Sequence, residues 1–225
     1  MQVFTELCIC MGLDNPIGEI METINYPYVP NRPSESSVLR RLGYNKNTII
    51  DVSDMMRMDN MILRAADFCR PKAKSCVISI KKKKEKSVIL DNGLIIESLK
   101  LAKLLMNSKK ILIMGATLGE DIVQKINHEI GFGDAEFGVV LDAYASECVD
   151  DTLSYIMKSE SLKDFRLGGK VTKHRFSAGY GDLDISYQKN FYDILKMDEI
   201  GVEINDSFML IPEKSVIALA GLERR

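Results

Sequence analysis

The chain has 225 residues, of which 46% are hydrophobic, and this is enough for one large domain or two small ones with a real core. Its formal net charge of −2 argues against a nucleic-acid-binding protein, because such proteins depend on basic surface. The sequence has no apolar run of transmembrane length and lacks the features of a signal peptide. We therefore predict a cytoplasmic protein with no nucleic-acid partner and no membrane partner.

Five cysteines are scattered along the chain, and none of them forms a C-x-x-C pair. The sequence therefore indicates neither a zinc ribbon nor an iron–sulfur site, and we expect reduced thiols. The spacing of Cys8 and Cys10 is only a weak indication of a soft-metal site. We predict no metal site.

The N-terminal part of the chain is rich in proline. Residues 1–13 are apolar and are compatible with a strand or a short helix. Three prolines then break regular structure, so residues 1–33 are predicted to form an N-terminal extension. Ser34 is a favourable N-cap for a short helix at residues 37–42, and it opens the predicted main domain, residues 34–225.

A helix and two strands are predicted next. Residues 52–69 have apolar side chains at helical spacing, which predicts a helix whose methionines pack in the core. Strands are predicted at residues 76–80 and 87–90. The lysine-rich run between them, residues 81–86, is typical of a hairpin tip or edge strand that resists aggregation. Contact with phosphate or with membranes is the alternative interpretation of this run.

A glycine-containing turn at residues 115–120 follows a helix predicted at residues 97–106 and a buried strand predicted at residues 110–114. The turn leads into a helix that is predicted to end at Ile130. A helix N-terminus after a strand can bind an anion. The glycine spacing, however, matches neither a Walker loop nor a dinucleotide fingerprint, so we predict no phosphate site.

Two carboxylates, Asp142 and Glu147, lie in the first half of a helix predicted from residue 136 to about residue 157. Asp142 could simply favour the helix dipole. Alternatively, one of the two carboxylates faces a cationic ligand, and their spacing leaves both interpretations open. The polar, glycine-bearing residues 161–170 predict a loop after this helix.

The run Arg175-Phe176-Ser177-Ala178-Gly179-Tyr180-Gly181-Asp182 overlaps the end of a strand predicted at residues 172–177. Its two glycines permit backbone angles that are closed to other residues. Arg175 offers a planar fork of donors suited to a carboxylate, and Tyr180 offers an aromatic face. These residues either hold a small zwitterionic ligand or form a glycine turn with Arg175 in a surface ion pair.

The C-terminal part is predicted to contain a helix at residues 187–197 and strands at residues 200–204, 208–211 and 215–219. Neighbouring strands are joined by hairpins and by helices. We therefore predict an α+β fold with a largely antiparallel or mixed sheet flanked by helices.

The order of four sequence blocks resembles the activation domain of cobalamin-dependent methionine synthase, which binds S-adenosylmethionine. The blocks are Ala116-Thr117-Leu118-Gly119, Leu141-Asp142-Ala143, Arg175-x-x-x-Gly179-Tyr180 and residues 200–212. The third of them matches the R-x-x-x-G-Y signature of that family. The resemblance implies an α+β domain with a twisted antiparallel sheet, present here as a stand-alone subunit.

The resemblance also implies a set of binding residues for S-adenosylmethionine. They are Arg175 for the methionyl carboxylate, Ala178, Gly179 and Tyr180 for backbone contacts, and Asp142 or Glu147 for the positive end of the ligand. No catalytic residue is implied, because the sulfonium methyl is already activated and the cobalt nucleophile belongs to a partner.

The function implied by the resemblance is reactivation. The subunit would position the methyl group of S-adenosylmethionine for reductive methylation of cob(II)alamin. The cobalamin would be bound by a partner methionine synthase subunit, and a flavodoxin- or ferredoxin-type donor would supply the electron.

The sequence departs from the family in its acidic residues. The family has an acidic residue a few positions before the arginine, where this chain has Leu167-Gly168-Gly169-Lys170. The family aspartate that binds the ligand amino group has no counterpart that we identify. One alternative is therefore a scaffold or docking subunit of a corrinoid methyltransferase that does not bind S-adenosylmethionine. Another alternative is an activator of a different corrinoid methyltransferase.

Overall fold

The structure is a computed structural model that describes residues 22–165 and 169–224. The strand or helix predicted at residues 1–13 lies outside these ranges, and so does the pair formed by Cys8 and Cys10. Within the described ranges, no helix is long and apolar enough to cross a membrane.

In this part of the chain, seven strands form a main sheet and two short strands form a separate hairpin. The strands are β1 (Thr23–Tyr26), β2 (Lys72–Lys83), β3 (Ser87–Leu90), β4 (Ile95–Glu97), β5 (Ser108–Thr117), β6 (Gly169–Val171), β7 (Glu203–Ile204), β8 (Leu210–Ile211) and β9 (Ser215–Arg224). The helices are α1 (Glu35–Arg41), α2 (Val52–Phe68), α3 (Leu99–Leu104), α4 (Glu120–Phe132), α5 (Ala135–Phe165) and α6 (Tyr187–Leu195), with a 3-10 helix at Met197–Ile200.

The main sheet has the strand order β4-β3-β2-β5-β9-β6, and its pairs are antiparallel. Strand β1 also pairs with β2, next to β3 along the same edge. The hairpin consists of β7 and β8. The predicted α+β fold, with a largely antiparallel sheet flanked by helices, is confirmed. The predicted division of the chain at residue 33 stays a prediction.

Strand β5 lies in the middle of the sheet and is covered on both faces. Ile111 and Ile113 are completely buried in a cluster shared with α3 and α6, whereas Leu112 and Met114 are completely buried in a cluster shared with α5. Successive side chains of a strand point to opposite faces, so a strand between two layers needs a continuous apolar run. The buried strand predicted at residues 110–114 is therefore confirmed.

A third apolar cluster joins the helices α2, α4 and α5. Met58 and Ile62 of α2 pack there with Ile126 of α4 and Tyr144 of α5. The apolar spacing in α2 therefore marks a core face, as predicted. Because α5 also packs on the sheet through Leu153, it connects this helical layer to β9.

The loop predicted at residues 161–170 is wrong in its first half, because α5 continues to Phe165. Leu162 and Lys163 favour helix, and Lys163 pairs with Glu160 at 2.6 Å. Local helix preference therefore outweighs the polar composition of this stretch.

The strand predicted at residues 172–177 is also wrong in its extent, since β6 ends one residue before Thr172. The Thr172 hydroxyl accepts a hydrogen bond from the N–H of Gly221 at 2.9 Å, where a backbone carbonyl would continue the ladder. The chain pairs with β9 again at Phe176, which forms a bridge with Leu219.

Half of the lysine-rich run belongs to a strand, because β2 continues to Lys83. The Lys83 ammonium donates to the carbonyls of Met106 and Ser108 at 2.7 and 2.8 Å, just beyond the end of α3. The ammonium also lies 3.4 Å from the carbonyl of Leu105, the C-cap of α3, where a cation is favourable because the last carbonyls of a helix lack intrahelical partners. Helix α3 is shorter than predicted because Ser98 is its N-cap.

The strands predicted at residues 200–204 and 208–211 shorten to β7 and β8. Gly201, with φ of 81°, ends the 3-10 helix, and Phe208, with φ of 60°, lies in the turn of the hairpin. Left-handed angles of this kind interrupt an extended strand.

Phe191 of α6 is completely buried in the apolar cluster that also contains residues of α3 and of the sheet. We expect Phe191→Ala to lower the free energy of unfolding by about 3–5 kcal/mol, because it removes apolar contacts and leaves a cavity. Urea titration followed by circular dichroism measures this change. Phe132→Ala is the control, since Phe132 is 90% exposed. Equal effects of the two substitutions would contradict the described core.

Candidate functional site

An open groove of about 830 Å³ lies beside β9, next to residues 175–180, which pair with this strand at Phe176. Its walls come from this segment, from α5 and α6, and from the β7–β8 hairpin. Four of the six predicted binding residues line it, namely Arg175, Ala178, Gly179 and Tyr180. The contiguous sequence motif therefore faces one cavity.

Arg175 has a carboxylate partner at this groove. Its Nη2 donates to Oδ1 of Asp150 at 2.9 Å, and its Nη1 donates to the hydroxyl of Ser154 at 3.0 Å. Asp150 and Ser154 lie one turn apart on α5, so both reach the same guanidinium. Arg175 is thus both ion-paired and part of the groove.

The Asp150 carboxylate is shared by two arginines. Arg41 of α1 donates through Nη2 to Oδ2 of Asp150 at 3.1 Å and through Nε to Oε1 of Glu147 at 2.6 Å. Beside this cluster, burial raises the pKa of the Asp151 carboxyl; the charge of Glu147 adds to the rise, and Arg175 opposes it. Asp150 therefore bridges the first helix and the glycine motif.

The backbone of the glycine motif forms a tight turn at the groove. Gly179 adopts φ of 83°, and its N–H donates to the carbonyl of Leu183 at 2.9 Å. A side chain at such an angle would be strained, which explains the glycine. Ala178 is buried, whereas Tyr180 is 70% exposed. The tyrosine ring is therefore open to a ligand or a partner.

Asp182 fastens this turn to the rest of the protein. Its carboxylate accepts hydrogen bonds from the Ser98 hydroxyl and the Leu99 N–H, both at 2.7 Å, at the start of α3. These hydrogen bonds, that of Ser98 foremost, hold the pKa of Asp182 below its usual range. The motif therefore ends in a carboxylate that caps a helix far away in sequence.

The β7–β8 hairpin forms the opposite wall. The side-chain oxygen of Asn205 accepts hydrogen bonds from the N–H groups of Ser207 and Met209 at 3.0 and 2.9 Å, which shapes the turn. Gln188 of α6 donates to the carbonyl of Phe208 at 2.8 Å and holds the turn against the helix. Met209 is thereby placed at the groove with 56% of its surface exposed.

Asp142 and Glu147 do not line the groove. Asp142 pairs with Lys214 at 2.7 Å, and Glu147 pairs with Arg41. Each of these carboxylates therefore has a cation within the protein. Ligand binding by these two residues stays a prediction, as it does for the four residues that line the groove.

Further polar residues line the groove that were not among the predicted binding residues. They include Asp150, Gln188, Asn205 and Glu213. One of them had a usable signal, because Asp150 lies three residues after Glu147 on the same helical face. The others come from separate elements that meet only in the folded chain.

We expect Asp182→Asn to lower the melting temperature, because a neutral amide is a weaker partner than a carboxylate for the donors at a helix N-terminus. The pKa of Asp182 is below its ordinary value of 3.8, so the stabilisation is complete above that pH and is lost as the pH falls through the native-state pKa. Calorimetry from about pH 7 to about pH 2 should show the difference from wild type shrinking in acid.

The control for this measurement is Asp206→Asn, since Asp206 is exposed on the hairpin turn. The role of Asp182 as a tether would be contradicted if the difference in melting temperature between Asp182→Asn and wild type did not depend on pH. An equal drop in melting temperature in the control would contradict it as well.

Gly179 and Gly201 both have left-handed φ, at 83° and 81°, but their surroundings differ. A Cβ at Gly179 would lie 2.9 Å from Cδ1 of Ile185, whereas one at Gly201 would meet nothing within 4 Å. We expect Gly201→Ala to cost about 1–2 kcal/mol through backbone strain. Gly179→Ala should cost more, because Ile185 must also move. Chemical denaturation gives both values, and equal losses would disprove the close approach.

No protein-family model and no curated protein sequence matches this chain. Among solved structures, the MetH reactivation domain bound to AdoHcy is similar to it, with a TM-score of 0.59 at 10% sequence identity. The similarity covers 89% of this chain and 78% of that chain. At this identity the comparison bears on architecture alone, and this chain has the fold of the MetH reactivation domain.

Proposed function

We propose that this protein binds S-adenosylmethionine in the groove and acts as a reactivation-type subunit. The observation that carries the proposal is the convergence of Arg175, Ala178, Gly179 and Tyr180 on one open groove. The shared fold supports it, because the solved MetH domain was bound to AdoHcy, the demethylated form of this ligand.

The groove fits this ligand in size and in chemistry. Its volume of about 830 Å³ lies within the range of small-molecule sites, roughly 300–1,000 Å³. Phe176, Ile185 and Met209 offer apolar contacts to an adenine ring. Arg175 offers the planar fork that a carboxylate prefers.

Binding of the ligand carboxylate requires Arg175 to change partners. Asp150 holds its Nη2 at 2.9 Å in the structure. Asp150 also contacts Arg41 at 3.1 Å, so it keeps a cation when it leaves Arg175. The ligand carboxylate competes with Asp150 for Arg175. The subunit alone should therefore bind the ligand more weakly than it would if the Arg175 guanidinium had no partner.

The part of this chain in the reaction is positioning. S-adenosylmethionine supplies a methyl group that is already activated by the sulfonium. Arg175 would hold the carboxylate and the turn at Gly179 would supply backbone contacts, while the open side of the groove leaves the methyl group accessible. We place the corrinoid on a partner methionine synthase subunit in the cytoplasm, with a flavodoxin- or ferredoxin-type electron donor.

Isothermal titration with S-adenosylmethionine tests the proposal. We expect Arg175→Ala to weaken binding by about tenfold to a hundredfold, as for the loss of a charge-assisted hydrogen bond. Arg57→Ala is the matched control, because Arg57 pairs with Asp54 and Glu136 outside the groove. Absence of binding to the wild-type protein, both alone and with a corrinoid-loaded partner, would refute the proposal.

A second candidate is a scaffold subunit that docks on a corrinoid protein without using S-adenosylmethionine. The observation in its favour is that both terminal nitrogens of Arg175 are already engaged, by Asp150 and Ser154. A reactivation assay with the corrinoid-loaded partner separates the two. Arg175→Ala should abolish reactivation under the first proposal and leave it unchanged under the second.

A further inference from the structure

The charged side chains that line the groove carry a net negative charge. They are one cation, Arg175, and two carboxylates, Asp150 and Glu213. Asp150 and Arg175 neutralise each other through their ion pair, and Arg41 supports Asp150 from the other side. The unbalanced charge at the groove is therefore that of Glu213.

Glu213 has no ion-pair partner within residues 22–165 and 169–224, and its side chain is exposed at the groove. The neighbouring Lys214 does not neutralise it, because its ammonium contacts Asp142 at 2.7 Å and the Ser146 hydroxyl at 2.9 Å on α5. The carboxylate of Glu213 is therefore available to a ligand.

The position of Glu213 is fixed by its surroundings. It lies in the short connection between β8 and β9, after Pro212, which is buried. The carbonyl of Lys214 accepts a hydrogen bond from the N–H of Leu118 at 3.0 Å, and the ammonium of Lys214 binds α5. A carboxylate on such a fixed turn presents its charge at the groove without a large loss of backbone entropy on binding.

We infer that Glu213 makes the groove selective for a cationic sulfonium ligand over the corresponding neutral thioether. The inference rests on the proposed function. S-adenosylmethionine carries a carboxylate, an ammonium and a sulfonium, so its net charge is positive. When the methyl group passes to the cobalt nucleophile of the partner, the electron pair of the S–CH3 bond stays on sulfur, and the remaining thioether has no net charge.

A preference for the sulfonium ligand over the thioether product would help a subunit whose part in the reaction is to position the methyl donor. An unpaired carboxylate attracts the cationic donor and loses that attraction once the methyl group has left. The groove therefore favours exchange of product for a new donor. A carboxylate can also accept hydrogen bonds from ribose hydroxyls, but those hydroxyls are present in both ligands and would give no selectivity.

The test compares S-adenosylmethionine and AdoHcy by isothermal titration with wild-type protein and Glu213→Gln. We expect the substitution to lower the affinity for S-adenosylmethionine by about two- to fivefold, which is the size of an exposed charge–charge interaction. The affinity for AdoHcy should not change. Added salt should reduce the wild-type preference and have little effect on Glu213→Gln. Glu85→Gln, at the exposed tip of the β2–β3 hairpin, is the control with the same change in charge.

Three outcomes would contradict the inference, and only the third would also contradict the proposed function. If Glu213→Gln weakens the binding of both ligands equally, the residue recognises the shared hydroxyls. If the substitution changes the affinity for neither ligand, Glu213 does not contact the ligand. Both results overturn the selectivity and leave the proposed function standing. If wild-type protein binds neither ligand, alone or with the corrinoid-loaded partner, the proposed function falls and the inference falls with it.

Discussion

The hydrogen bonds from the start of α3 to the Asp182 carboxylate are the constraint on which the groove depends. The segment before Asp182 is joined to the sheet at a single residue pair, Phe176 and Leu219, and then contains two left-handed glycines. Ordering such a segment costs backbone entropy that few sheet contacts offset. Arg175 attaches the segment to α5 through Asp150 and Ser154, and Asp182 attaches its other end to α3, so that the turn with Tyr180 keeps its position beside β9.

The opposite wall is held by a buried cation. Lys74 of β2 is almost completely buried, and its ammonium donates to the carbonyl of Lys196 at 3.2 Å and pairs with Glu199. A buried charge is costly unless it is paired, so this contact fixes the chain that leads from α6 to the hairpin. Gly115 of β5 allows the same chain to approach the sheet, because a side chain there would collide with Met197. This wall thus takes its position from strands β2 and β5 of the central sheet, whereas the glycine motif is tied to β9 and to the start of α3.

Local patterns were sufficient where local physics decides the structure. Apolar spacing predicted the core helix α2 and the buried strand β5, and the residues of the contiguous motif from Arg175 to Tyr180 line one groove. The failures occur where distant residues intervene. The hydroxyl of Thr172 takes a place in the ladder of β9, and Glu213 and Asp150 reach the groove from elements that are far apart in sequence. The spacing of residues along the sequence does not indicate contacts between elements that are far apart in the chain.

The carboxylate of Asp150 is shared by the first helix, through Arg41, and by the glycine motif, through Arg175. Under the proposed function, a ligand carboxylate that takes Arg175 would replace one anion by another and would leave no charge without a partner, since Asp150 remains with Arg41. Occupancy of the groove and the contacts of α1 therefore draw on the same carboxylate. Under the proposed function, thermodynamic linkage predicts that a contact that removes Arg41 from Asp150 strengthens the pair with Arg175 and opposes the ligand. The first helix, although it lies outside the groove, contacts a carboxylate that lines it.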